Sequence, residues 1–166
     1  FILEDFDWPF LEEYAQRLKK ELGAAEVCFE RLFDRRLFSF RIDAKELKVE
    51  FTRYPFLQLE KPALKDEIKI DSFRDIAANK LMAMLDRFEP KDFVDLYFIF
   101  QKLDMNQVRK DAEKKFGIKV DDIFLGGELA KVRRIEGLPK MVKPLIIDDL
   151  KISFSNIAKD LTKKIF

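Results

Sequence analysis

The stretch Asp71–Phe100, D-S-F-R-D-I-A-A-N-K-L-M-A-M-L-D-R-F-E-P-K-D-F-V-D-L-Y-F-I-F, constrains this chain more than any other. It reads as two helices with a short joint at Glu89-Pro90. Ser72 followed by Asp75 signals a helix start. The serine hydroxyl can accept a free backbone N–H, and an acid three residues on suits the positive helix end. Phe73, Ile76, Ala77, Met84 and Phe88 then fall on one helical stripe, which predicts the core face. Lys80 sits in the middle of that stripe, four residues after Ile76 and four before Met84. Arg87 shares the face two turns further on, roughly 10 Å along the axis. Two cations on a face expected to be core require an explanation.

The second helix is expected to open at Pro90, a residue tolerated in the first turn. From Phe93 to Phe100 it is apolar almost all round, which predicts burial. Its acids, Asp92 and Asp95, lie three apart and are neighbours on one face. A buried helix rarely carries an unpaired carboxylate. Asp95 therefore calls for a cation or a ligand, and Lys80 and Arg87 are the nearest cations of the preceding helix. Two explanations remain open from the residues alone. One is a helical hairpin held by salt bridges, since buried pairs occur in ordinary cores. The other is a substrate site.

The pattern D-I-A-A-N-K-L-x-A-x-x-x-R-x-x-x-K-D-x-x-D-L-Y, Asp75 to Tyr97, resembles the second half of the AbiEii/AbiGii nucleotidyltransferase toxins. In those proteins a helix carrying K-L-x-A and R is followed by K-D-x-x-D-L. The resemblance implies a nucleotidyltransferase fold, an NTP substrate and a divalent metal, Mg²⁺. It also implies the toxin half of a toxin–antitoxin or phage-defence pair, with a separate antitoxin protein as partner and tRNA or another RNA among the acceptors. By the same resemblance Lys80 would contact phosphate. Arg87 and Lys91 would neutralise charge on pyrophosphate or acceptor. Asp92 and Asp95 would orient these cations or act near the acceptor hydroxyl.

Histidine is absent, which excludes His-based triads and the usual Cys/His zinc sites. Any chemistry must use carboxylates, Lys, Arg, hydroxyls or a metal held by oxygen. The 32 basic and 31 acidic residues nearly cancel, so bulk charge gives no nucleic-acid signal, although a local basic patch is compatible with it. The single cysteine, Cys28, excludes an internal disulfide framework and fits a reducing cytoplasm; its place in a strand predicts a small core residue. No apolar run reaches membrane-spanning length, and no secretory signal pattern is visible. With 18 Phe and 5 Gly, the composition favours a packed domain over disorder.

The expected architecture is α+β. A small antiparallel or mixed sheet of nucleotidyltransferase type occupies residues 1–70, and a helical lobe occupies 71–166. A first helix runs from Pro9 to about Leu22, with Phe10, Leu11, Tyr14, Ala15, Leu18 and Leu22 on its inner face. Three strands come next, Glu26–Leu32, Arg36–Ile42 and Leu47–Tyr54, joined closely enough for antiparallel hairpins. Phe38, Phe40 and Ile42 alternate with Ser39 and Arg41, and Leu47, Val49 and Phe51 alternate with Lys48, Glu50 and Thr52. By pattern alone Glu50 faces solvent. The resemblance gives it a second meaning, because the family takes a third metal-binding acid from a strand in the setting that Val49-Glu50-Phe51 provides. The family more often has Asp there.

Residues 55–70 read as a connector with a short strand near Glu67–Ile70. Asp104 is expected to cap a helix from Met105 to Phe116, ending at Gly117. A further helix is expected over Val120–Glu136, and Leu150, Phe154, Ile157, Leu161 and Ile165 mark a final amphipathic one. Its Lys151, Lys159, Lys163 and Lys164 read as a solvated face, with RNA contact as the alternative. The family's G-G/S-T and R-x-S-x-D-x-D segments do not occur here, and Gly126-Gly127 lies too far downstream to replace the first. Phe1-Ile2-Leu3 resembles the family's residues immediately after its D-x-D. A protein consisting of these residues alone is expected not to transfer nucleotides, and to be an inactive remnant or interaction module that keeps the fold.

Overall fold

The computed structural model describes residues 7–66 and 68–163, and it divides after Phe56 into two compact units. The expected α+β class holds. In the first unit, α1 (Trp8–Glu21) is followed by a meander of β1 (Glu26–Leu32), β2 (Arg35–Ile42) and β3 (Lys45–Thr52). The sheet order is β1-β2-β3, antiparallel throughout, with Phe29 opposite Phe38 and Phe38 opposite Val49. Both connections are two-residue hairpins, Phe33-Asp34 and Asp43-Ala44, and the first residue of each has positive φ, 50° and 52°. Right-twisted hairpins demand this geometry. Aspartate tolerates it, whereas for phenylalanine it is costly.

Phe38 and Phe40, at the centre of β2, are buried with Leu11 and Ala15 of α1, and Val27, Val49 and Phe51 pack around them. The Tyr14 ring meets Phe51 edge-on at 5.8 Å, and Trp8 lies 4.3 Å from Phe29. The period-2 pattern thus places the inner face correctly. Two residues depart from expectation. Phe10 is exposed rather than packed on the sheet. Cys28 is exposed rather than in the core, because it pairs with Ser39 on the outer face between the inward positions Val27 and Phe29.

The second unit begins with a short antiparallel pair, β4 (Ala63–Lys65) and β5 (Ile68–Ile70), inside the segment expected to be a connector. The helices α2 (Phe73–Asp86), α3 (Pro90–Phe100), α4 (Met105–Phe116), α5 (Asp122–Ala130) and α6 (Ile147–Thr162) complete it, with a 3₁₀ turn at Lys131–Arg134 after α5. Start and stop signals explain most boundaries. Ser72 accepts from the Asp75 N–H, Asp104 from Gln107 and Asp121 from Phe124, and Gly117 closes α4 at φ 68°. The helix expected over Val120–Glu136 is shorter: Asp121 caps its start, and it passes into the 3₁₀ turn after Ala130.

The core of this unit joins Ala77, Ala78, Leu81 and Met84 of α2 to Phe93, Leu96 and Ile99 of α3. Val108 and Ala112 of α4, Leu125 and Leu129 of α5, and Leu150, Phe154 and Leu161 of α6 also belong to it. The Phe154 ring lies 5.4 Å from Phe93 and 5.9 Å from Phe100. Gly126 faces α6, where a Cβ would stand 3.7 Å from the Ala158 carbonyl oxygen. Of the final stripe, Ile165 and its neighbour Lys164 lie outside the described residues.

Candidate functional site

The stripe that carries Lys80 divides between core and surface: its Ala77 and Met84 are buried, whereas its Phe73 and Ile76 are not. Ala77, Ala78, Leu81 and Met84 form the core contact, while Phe73 and Ile76 remain 43% and 37% exposed. Phe73, Ile76 and Lys80 instead form one wall of a cleft of about 300 Å³, completed by Asp95, Phe98 and Ile99 of α3 and by Gln101, Lys102 and Lys143. The cation that was out of place on a core face is in place on the wall of an open cleft.

Four of the expected site residues meet across the α2–α3 joint. Lys80 Nζ lies 2.5 Å from Asp95 Oδ2 and 3.4 Å from Asp92 Oδ1. Arg87 Nε donates to Asp92 Oδ2 at 3.0 Å. Asp92 is fully buried, while the Asp95 side chain is 46% exposed. Lys80 therefore has one fixed partner and one that solvent or a ligand can reach. Burial acts to lower the Lys80 pKa, but the Asp95 and Asp92 carboxylates outweigh it and leave it above the usual lysine value. Lys80 is a permanent cation at neutral pH, not a base or a nucleophile. The Asp92 hydrogen bond likewise raises the Arg87 pKa. Two cations and two carboxylates leave the cluster neutral.

Lys91 is exposed in the first turn of α3 and makes no ion pair among the described residues. Glu50 belongs to the first unit. It lies on the outer face of β3, accepts from Thr52 Oγ1 at 2.6 Å and lies 3.5 Å from Arg35 Nε. Among the described residues no group of three or more Asp, Glu, Cys or His side chains is arranged to hold a metal ion. Glu50, with a hydroxyl and a guanidinium as neighbours, does not by itself fit a divalent cation, which needs several oxygen ligands.

A second charged network is one that sequence reasoning missed. The Asp75 carboxylate, expected only as a helix-start acid, is buried and accepts from Lys115 Nζ at 2.6 Å, Ser72 Oγ at 2.7 Å, Leu59 N at 3.0 Å and Glu60 N at 3.2 Å. Beside it Arg74 grips Asp111 through two nitrogens, at 2.8 and 2.5 Å, and Gln107 donates to the same carboxylate. These bonds tie α2 to α4 and to the segment leading into β4. The available signal was Lys115, three residues after Ala112 on the inner face of α4.

The family described as nucleotidyl transferase AbiEii toxin, type IV TA system, matches residues 5–164. The chain belongs to the AbiEii family. The match spans both units of the fold, and it ties the chain to a nucleotidyltransferase-like role in a toxin–antitoxin system. No curated protein and no solved structure matches the chain. Among the described residues of this AbiEii-family chain, no helix is long and apolar enough to cross a membrane.

Proposed function

We propose that this AbiEii-family protein, with the family's G-G/S-T and D-x-D segments present in the full protein, transfers a nucleotide from an NTP to an RNA, tRNA included, or to a protein acceptor, as the cytoplasmic toxin of a phage-defence pair with a cognate antitoxin. The observation that carries the reading is Lys80, a permanent cation on a cleft wall with one buried and one exchangeable carboxylate partner. In such a transfer the acceptor hydroxyl oxygen bonds to the α-phosphorus and the bond to pyrophosphate breaks. Lys80 suits the charge that develops on the departing phosphates, as a compact point charge with donors to spare. Arg87 and Lys91 are exposed enough to share that charge. Asp95 is the carboxylate within reach of an acceptor proton. Asp92 is a positioning residue, since among the described residues its buried carboxylate pairs with Lys80 and Arg87. Mg²⁺ belongs to the reading as the family's cofactor, with Glu50 as its one assigned ligand.

A second reading is favoured by the charge balance. Because the four charges cancel and Asp92 is fully buried, the cluster also works as a clamp on the α2–α3 joint in an inactive interaction module. Lys80→Ala and Asp95→Asn separate the two. On the transfer reading Lys80→Ala abolishes labelled-nucleotide transfer and leaves the circular dichroism melt within a few degrees of wild type, and Asp95→Asn leaves the melt unchanged. A full protein that carries the G-G/S-T and D-x-D segments yet shows no transfer activity, and whose melt collapses on Lys80→Ala, establishes the clamp and refutes the transfer reading.

A further inference from the structure

The charge that the cleft presents to a ligand does not come from the family's motif. Lys80 and Arg87 are balanced by Asp92 and Asp95. Lys102 and Lys143 line the same cleft and pair with no carboxylate among the described residues. Their partners are rings. Lys102 Nζ stands 5.7 Å from the centroid of Phe73, and Lys143 Nζ stands 5.5 Å from that of Phe98. A ring face steadies an ammonium without cancelling its charge and without accepting its N–H donors in ordinary hydrogen bonds. The result is two uncompensated, oriented cations beside a cleft whose opposite character is apolar, with Phe73 and Ile76 left exposed on a helix that had core positions to offer them.

We infer that Lys102 and Lys143 form a phosphate subsite, with the attached nucleoside lying against Phe73, Ile76 and Phe98. The ligand chemistry is a nucleotide phosphate, supplied by a free NTP or by the backbone of a single-stranded RNA. An aromatic and aliphatic wall beside paired cations suits both, since any base has an apolar face to lay on it and any phosphate takes the charge. The cleft volume lies at the small end of the range for ligand pockets, which admits one nucleotide rather than a folded domain. The choice of ligand rests on the nucleotide-handling reading above. The readout is equilibrium binding, so a chain that binds but does not transfer leaves this subsite intact while refuting that reading.

The test is binding to the full chain. Each of the four NTPs is titrated by calorimetry, and a labelled single-stranded oligoribonucleotide by fluorescence anisotropy. Lys102→Ala/Lys143→Ala is expected to weaken at least one probe roughly a hundredfold or more, the scale of two lost hydrogen bonds to a charged group. For the oligoribonucleotide, the slope of log K against log salt should fall by about 0.7 for each lysine removed. Lys102→Arg/Lys143→Arg should restore binding. Loss confined to NTPs assigns the subsite to the free nucleotide, and loss confined to RNA assigns it to the strand. Lys110→Ala/Lys114→Ala removes the same charge from the exposed face of α4 and should change neither probe. Equal losses in both double variants, no loss in the cleft variant, or a wild-type chain that binds neither probe overturns the proposal.

Discussion

Replacing Lys115 by Met tests the buried network directly. Lys115 and Asp75 have side chains only 1% exposed and meet at 2.6 Å. Burial pushes the Asp75 carboxyl up, but the Lys115 ammonium, the Leu59 and Glu60 N–H groups and the Ser72 hydroxyl together hold it at about 2, below the ordinary 3.8. That difference corresponds to about 2 kcal/mol of stability. Because the folded value is the lower one, the contribution is complete above about pH 5 and is lost as pH falls from 3.8 towards 2. Lys115→Met leaves the carboxylate buried with three donors but no cation. Removing one partner of a buried pair costs about 3–5 kcal/mol, and the three remaining donors put this case near about 3. Urea denaturation at pH 7 followed by far-ultraviolet circular dichroism is the suitable assay, since α2–α6 all lie in the second unit. The expected midpoint shift is about 2 M urea. Burial then dominates at Asp75, so the deficit against wild type should shrink as pH is lowered. Asp75→Asn/Lys115→Met, with no charge left to bury, should recover about 1–2 kcal/mol over Lys115→Met. A cost below about 1 kcal/mol, or a double variant no better than the single one, would show that the pair does not hold α2 on α4.

Two further substitutions probe the backbone. Phe33 is 94% exposed at φ 50°, so Phe33→Asn loses no packing and relieves a strained turn; stabilisation of about 0.5–1 kcal/mol is expected, read from Trp8 fluorescence in the first unit. Gly127 lies inside α5 with nothing within 4 Å of a built Cβ, so Gly127→Ala should stabilise the second unit by up to about 1 kcal/mol in the same urea assay.

The elements of this fold are legible wherever a local signal is strong. Alternation over Arg35–Ile42 and Lys45–Thr52 places the strands and their inner face, and Asp104 with Gly117 brackets α4 to the residue. The pairing of Lys80 with Asp95 is also visible, because an acid in an apolar helix needs a cation and the cation lies one helix away. Other features depend on contacts between residues distant in sequence. The short strand expected near Glu67–Ile70 is β5, whereas its local partner β4 is three residues long, too short for a periodic signal. Lys115 lies forty residues from Asp75, and its position on α4 reads as a last-turn cation suited to the helix dipole. Residue type argues for Cys28 in the core, whereas the pleat sets its face, and one step along β1 reverses it.

The Lys80 stripe shows why a helical wheel finds a face but not its neighbour. Phe73, Ile76 and Lys80 do share a face of α2, as their spacing requires. Which face becomes core is decided by what packs there: α4 packs on α2, and Val108 and Ala112 of α4 share one buried core with the small side chains Ala77 and Ala78 of α2. Small residues permit the closest helix approach and thus the densest packing, so they win the core over the larger Phe73 and Ile76. The larger residues are left beside α3, half exposed, where the Asp95 and Phe98 face of that helix completes a cleft instead of a seal. An apolar stripe interrupted by a lysine therefore marks neither a core nor an error. It marks the boundary where packing stops and an open cleft begins, and the same cleft holds Lys102 and Lys143 beside the Phe73 and Phe98 rings.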